Sequence, residues 1–181
     1  NRVELEVYEG EIAGLIGPNG SGKTTTFNIV TGAFPATSGR IIFKERDITG
    51  MKTHNIVRSG IARTFQNIRL FSRMTVFDNV KIGQYHKGKS VFTSLVSFGS
   101  RDERLLREKV EQILEFTGLQ NKRFQLAGSL SFGDQRRLEI ARAFATDPEL
   151  LLLDEPAAGL NPQEAEELIQ EIQSIRELGK T

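Results

Sequence analysis

The nine residues from Gly17 to Thr25, G-P-N-G-S-G-K-T-T, constrain this chain more than any other stretch. They satisfy the pattern G-x-x-x-x-G-K-[ST], which requires a strand before it and a helix after it. Glu11 to Ile16 read as a short buried strand, and Thr24 to Thr31 as the first turns of a helix. Gly17, Gly20 and Gly22 carry no side chains, so the backbone can curl there and aim successive N–H groups at one anion. The helix that follows adds its unsatisfied N-terminal donors and the positive end of its dipole. In such a P-loop, Lys23 reaches the β- and γ-phosphates of a nucleoside triphosphate and the Thr24 hydroxyl is placed for Mg2+. A chance glycine-rich turn is the alternative, and the flanking pattern argues against it.

Composition narrows the setting. The 181 residues suffice for one domain with a real core. A net charge of +1 speaks against a bulk electrostatic grip on nucleic acid or lipid. Cysteine is absent, which removes disulfide and thiolate chemistry and agrees with a reducing compartment. No apolar run approaches the roughly 18 residues of a membrane span and no signal peptide opens the chain, so membrane association is expected through a partner. Asn1 begins directly on the alternation Val3, Leu5, Val7, and the chain stops at Thr181, where an α/β fold would start another strand. A fragment truncated at both ends is the expectation.

Read in order, residues 2 to 8 alternate charged and apolar, the mark of a half-buried strand. A helix from about 22 to 31 closes at Gly32. Arg40 to Phe43 is short and β-like, Glu45 to Asp47 is a solvated hairpin end, and a short helix spans 53 to 59. Ile61 to Phe65 reads as a strand that delivers Gln66, whose amide could ligate Mg2+, orient water, or serve as an ordinary loop glutamine. Thr75 opens a helix to about Gly83 with Asp78 in its first turn. Tyr85 to Ser100 mixes glycines, serines and apolar residues. It reads as an amphipathic segment in a mobile loop, suited either to a partner protein or to the domain's own surface. From Arg101 to Thr117, Leu105, Leu106, Val110, Ile113, Leu114 and Phe116 form one apolar helix face.

Leu130-Ser131-Phe132-Gly133-Asp134-Gln135 then opens a helix to about Thr146. Leu138, Ala141 and Ala145 form one stripe on it and Ile140 with Phe144 another, which predicts burial on more than one side. The neighbouring Arg136-Arg137 pair reads as surface charge at a dimer seam. Four leucines, 150 to 153, read as a central parallel strand covered on both faces, ending in Asp154-Glu155-Pro156. Ligands of open α/β sheets sit at the carboxyl ends of strands. Asp154 fits the second Mg2+ anchor of P-loop enzymes, and Glu155 is placed to activate or position water. Asn161-Pro162 caps a final helix to about Leu178.

The ordered set resembles the nucleotide-binding subunit of an ATP-binding-cassette (ABC) transporter across essentially the whole chain. Lys23 and Thr24 match the P-loop, Gln66 the Q-loop, Ser131 to Gln135 the signature, Asp154 the metal-linked acid, Glu155 the catalytic glutamate, and Ala158 to Asn161 the D-loop. L-S-F-G-D-Q-R-R-L-E-I-A-R-A (130–143), A-A-G-L-N-P (157–162) and T-F-Q-N (64–67) are similar to the G-type ATPases of branched-chain amino acid importers.

The resemblance implies an α/β fold of the ABC type. It would have a mostly parallel core sheet, a small antiparallel β part and a helical signature subdomain. One domain would span 1–181, with 1–66 and 147–181 as catalytic core and 67–146 as helical subdomain. ATP would contact Gly17, Pro18, Asn19, Gly20, Ser21, Gly22, Lys23, Thr24 and Thr25, with Ser131 and Gly133 completing a partner's site. Thr24, Gln66 and Asp154 would hold Mg2+, and Glu155, Gln66 and Lys23 would be catalytic. Implied partners are a second ATPase subunit in a head-to-tail dimer, transmembrane permease subunits contacted by Gln66 and residues 67–98, and indirectly a solute-binding protein. Nucleic acid is not among them. The implied location is the cytoplasmic face of the plasma membrane.

Departures from the common L-S-G-G-Q signature are Phe132, tolerable if its ring turns from the nucleotide, and Asp134, whose charge must be held back from phosphate. Asn161 stands where many relatives carry Asp, which removes a charge from the dimer seam. Family members also carry an adenine-stacking aromatic upstream of the first strand and a switch histidine after the last helix. His54 and His86 lie elsewhere and read as surface residues. Weak Mg-ATP binding and doubtful hydrolysis are expected of the chain as it stands. Competing readings are a lipid or lipopolysaccharide exporter subunit, a soluble ABC protein of translation or DNA repair, and a non-hydrolysing ATP-gated dimerisation module.

Overall fold

The computed structural model describes residues 3–87 and 101–181. Helix α1 (Lys23–Val30) follows the P-loop and closes at Thr31, whose N–H bonds to Phe27 O at 3.0 Å. Gly32 then turns the chain at φ +68°, where a Cβ would lie 2.4 Å from Met51 O, so only glycine fits. Strands β1 (Ile42–Phe43) and β2 (Arg46–Asp47) pair antiparallel as a hairpin, with Lys44 and Glu45 at positive φ in its turn. Helix α2 (Thr53–Arg58) leads to strand β3 (Ile61–Arg63).

Helix α3 (Val76–Gly83) is capped by Thr75, whose hydroxyl accepts from Asp78 N at 3.0 Å and donates to Asp78 Oδ2 at 2.6 Å. Helix α4 is Arg101–Phe116, and Gly118 stops the run just beyond it at φ +69°. Helix α5 spans Phe132–Phe144, strand β4 Leu150–Leu152, and helix α6 Pro162–Glu177. A reciprocal capping box of Asn161 and Glu164 opens α6 with Pro162 in its first turn.

β3 and β4 pair in parallel, Ile61 opposite Leu150 and Arg63 opposite Leu152, and Thr64 N to Leu152 O (3.0 Å) continues the ladder. On the other edge of β4, Leu151 N donates to Thr181 O and Thr181 N to Glu149 O. The period-two rule is visible along β4. Leu150 and Leu152 pack with Ile48, Ile56 and Ile61, whereas Leu151 and Leu153 face Ile140, Leu168 and Ile175. Both faces of the strand are covered as expected, although each leucine is only half-buried.

Helix α5 joins two cores, also as expected. Leu138, Ala141 and Ala145 pack with Val76, Val80, Val110, Leu114 and Leu119, and Ile140 faces α6 and β4. Burial on two sides makes α5 the common wall of the helical subdomain and the sheet.

The strands expected over 2–8 and 11–16 are not formed. Residues 3–16 carry no ladder, and Glu11 N closes a tight turn on Tyr8 O. A strand is stable only when a neighbouring backbone accepts its hydrogen bonds, and among the described residues none pairs with this stretch. Val3, Leu5, Ile12 and Ile16 are accordingly exposed rather than buried. The amphipathic segment anticipated over 85–100 lies, from residue 88 on, outside the described residues.

Candidate functional site

Local backbone geometry builds the P-loop. Gly20 and Gly22 sit at φ +80° and +100°, conformations costly to any residue with a Cβ. A Cβ on Gly17 would fall 2.8 Å from Ser21 Oγ. Lys23 curls back over the loop, its Nζ donating to Gly17 O at 2.7 Å and Pro18 O at 2.9 Å. Pro18 O also accepts from Ser21 N, and Gly22 O from Thr26 N, which fixes the curl at both ends. Asn19 and Thr25 are exposed beside it.

Tertiary structure brings the predicted residues together. Thr24 Oγ1 donates to Asp154 Oδ1 at 3.3 Å, joining the P-loop to the end of β4 across 130 positions. Gln66, just beyond β3, donates from Nε2 to Glu155 Oε2 at 3.0 Å. Parallel pairing of β3 with β4 makes this possible, because it places both carboxyl ends on the same edge of the sheet. Asp154 is buried, 4 % exposed, and its N–H bonds to Thr64 Oγ1. Glu155 adopts φ +48°, an uncommon left-handed conformation for a non-glycine residue and a form of stored strain. The Thr24 hydroxyl, the Asp154 carboxylate and the Gln66 amide oxygen are hard oxygen donors of the kind Mg2+ prefers. Among the described residues no three His, Cys, Asp or Glu side chains form a cage of their own. A metal held by one carboxylate and a hydroxyl leaves coordination positions for phosphate oxygens, which is how Mg2+ is usually held.

Ser131 and Gly133 share no hydrogen bond with this cluster among the described residues. Ser131 caps α5, accepting from Asp134 N at 3.2 Å and donating to Asp134 Oδ2 at 2.7 Å. Among the described residues no hydrogen bond joins Ser131 or Gly133 to residues 17–25. The unusual Asp134 is neutralised where it stands. Burial opposes its ionisation, but hydrogen bonds from Lys122 and Ser131 outweigh that and hold its carboxyl below the ordinary range. Phe132 turns its ring onto the D-loop, where a Cβ on Gly159 would lie 3.0 Å from it.

Two arginines have roles that sequence reasoning missed. Arg136, expected as surface charge, is 1 % exposed. It pairs with Glu139 at 3.0 Å and donates to Phe65 O and Gln66 O, while Glu139 accepts from the N–H groups of Phe65 and Arg69. The helix register at Phe132 turns this position inward, against the loop that carries Gln66. Arg137, its neighbour, does lie near the surface and pairs with Glu167. The second residue is Arg63, which donates from Nη2 to Asp154 Oδ2 at 2.8 Å with both side chains about 5 % exposed. A charge inside the apolar run Ile61 to Phe65 was the available signal. His54 is exposed, as expected, and the His86 side chain lies outside the described residues.

Beside the Gln66 loop, a cavity of about 710 Å³ opens between the sheet and the helical subdomain. Phe65, Arg69, Leu70, Phe71, Ile82 and Arg142 are among its lining residues. Among the described residues no helix is long and apolar enough to cross a membrane.

A family model described as ABC transporter matches residues 1–158. The chain is 45 % identical over 179 residues to the high-affinity branched-chain amino acid transport ATP-binding protein LivG of Escherichia coli K12, covering 97 % of this chain and 70 % of that protein. A solved nucleotide-free ATP-binding cassette from an ABC transporter superposes with a TM-score of 0.83 at 36 % identity, over 98 % of this chain and 70 % of its own. The ADP conformation of an ATP-binding cassette of an ABC transporter gives a TM-score of 0.81 at 36 % identity, over 96 % and 68 %.

Proposed function

The chain belongs to the ABC transporter family as an ATP-binding, ATP-hydrolysing subunit, and we propose that it powers an importer for branched-chain amino acids or similar small polar solutes. The observation that carries the reading is the pair of contacts Thr24–Asp154 and Gln66–Glu155, which joins the P-loop helix and the two strand ends at one sheet edge. The solute class rests on the likeness to LivG.

Residues 17–25 cradle the ATP phosphates with main-chain N–H groups and the α1 N-terminus, and Lys23 leaves its loop carbonyls to take phosphate oxygens. Thr24, Asp154 and Gln66 would hold Mg2+, which when bound neutralises charge on phosphate oxygens. Glu155 accepts the proton of the attacking water, and Gln66, already on Glu155, orients that water. Water oxygen bonds to the γ-phosphorus as the bond to the leaving ADP oxygen breaks. The residues contribute mainly positioning and charge stabilisation.

Among the described residues Ser131 and Gly133 make no hydrogen bond to this chain's own P-loop, and this supports a head-to-tail dimer, in which they close a partner's site. The cavity beside Gln66, apolar and arginine-edged, suits a cytoplasmic helix of a permease subunit, which in turn would receive solute from a binding protein. On this reading the subunit works at the cytoplasmic face of the plasma membrane, with residues 67–146 as the permease-facing helical part. The test is MgATP binding and phosphate release by the chain with Lys23→Ala and Glu155→Gln beside it. Weakened binding in the first and sharply reduced release in the second are expected, and a folded parent chain that binds no nucleotide would overturn the reading.

A further inference from the structure

Arg63 occupies a position that the catalytic reading leaves unexplained. Its guanidinium lies over the rings of Phe27 (5.6 Å) and Phe65 (5.2 Å). Nη2 donates to Asp154 Oδ2 at 2.8 Å, and Nη1 donates to Asn28 Oδ1 at 2.6 Å and to Thr31 Oγ1 at 3.4 Å. Asn28 belongs to α1 and Thr31 closes it, the same helix that begins at Lys23 and Thr24. Arginine commonly grips a carboxylate with two parallel bonds. Here it uses one, and its buried Nε has no hydrogen-bond partner. Asp154 Oδ1 is therefore left to the Thr24 hydroxyl.

We infer that Arg63 is a positioning residue for the metal-linked acid, tying Asp154 Oδ2 to helix α1 so that Oδ1 stays presented beside Thr24. The inference rests on the proposed Mg-ATP site. A single bond to Oδ2 fixes the carboxylate rotamer and spares the other oxygen. The two ring contacts and the α1 acceptors fix the guanidinium in turn. With both partners almost fully buried, loss of the arginine leaves a carboxylate without its counter-charge and without the bond that fixes its rotamer. A plain charge argument points the other way, since removing a cation from the vicinity of a second cation should strengthen metal binding. The two readings thus differ in sign.

The test measures the affinity of a fluorescent ATP analogue for the whole chain in EDTA and in saturating Mg2+, the ratio being the metal-linked gain. Positioning predicts that Arg63→Met lowers that gain at least fivefold and leaves the EDTA affinity within twofold. Arg63→Lys, which keeps the charge but not the planar fork, should recover only part. In an Asp154→Asn background Arg63→Met should add no further loss, and that background keeps the test open if the single variant does not fold. An unchanged or larger gain in Arg63→Met, or an equal fall with and without metal, overturns the inference. A wild-type chain that binds no nucleotide overturns the proposed function itself, whereas a wild-type gain that Arg63→Met retains overturns this inference alone.

Discussion

Gln66 donates its side-chain amide to Oε2 of Glu155 at 3.0 Å, so the residue beyond one strand touches the carboxylate beyond its parallel neighbour. The contact places the proposed base and its water-positioning partner within one hydrogen bond of each other, with Glu155 in a strained backbone conformation. Glu155→Gln should lower phosphate release by about 10²- to 10⁴-fold, the usual contribution of general base catalysis. Gln66→Ala should lower it less while also weakening MgATP binding, because it removes a residue that would hold Mg2+, whereas Glu155→Gln should leave that binding within a fewfold. Steady-state phosphate release beside equilibrium nucleotide binding checks both.

Lys23 spends its charge on two loop carbonyls in this structure, and phosphate oxygens offer it stronger partners. A hydrogen bond to a charged group contributes roughly 1.5–3 kcal/mol, so Lys23→Ala should weaken ATP binding by roughly 10- to 150-fold. Its stability should change little, because the side chain is anchored only within its own loop. Nucleotide titration and thermal melting separate the two effects.

The Arg136–Glu139 pair locks helix α5 to the Gln66 loop through four main-chain groups. Removing one partner of so deeply buried a pair strands the other charge and should cost about 3–5 kcal/mol, for Arg136→Leu as for Glu139→Leu. The double variant should recover part of that loss in stability. It should still release phosphate more slowly than the parent, because the Gln66 loop has lost its anchor. Chemical denaturation of the three variants, with phosphate release on the double, tests the expectation.

Burial pushes Glu171 up to about 7 against an opposing pull from Arg137, and its Oε1 has no hydrogen-bond partner. The sign follows from proton counting. Between about pH 4.5 and pH 7 the folded chain holds a proton at Glu171 that the unfolded chain has released, so this group's contribution to stability falls as pH rises through that window. Glu171→Gln should remove that pH dependence and raise stability at pH 8 by roughly 1–3 kcal/mol. Urea denaturation at pH 5 and pH 8 would show it, and an unchanged difference between the two would refute it.

Much of the fold and site was legible because its cause is local. The glycine spacing of 17–22 sets backbone freedom, and the apolar spacing of 106–116 and 138–145 sets which helix faces are buried, whereas Leu105, expected on the same face, lies exposed near the start of α4, outside the cluster that buries Val110 and Leu114. Caps such as Thr75 and Asn161 act within three residues of themselves. Ordered motifs placed Lys23, Thr24, Gln66, Asp154 and Glu155 by type and spacing. The alternation of 3 to 16 was equally local, yet alternation marks only a capacity to pair, and the neighbouring backbone decides whether a strand forms.

What only the tertiary structure decided is every contact between residues far apart in the chain. Thr24 meets Asp154, Arg63 meets Asp154 and Gln66 meets Glu155 because β3 and β4 align in parallel and α1 ends beside them. Arg136 reads as surface charge until the loop at Phe65 and Gln66 folds over it and supplies two carbonyls. A sequence determines which groups a side chain carries and which local turn it prefers. Whether a charge ends in water or buried against a partner depends on long-range packing, because burial and pairing are properties of the assembled neighbours rather than of the residue.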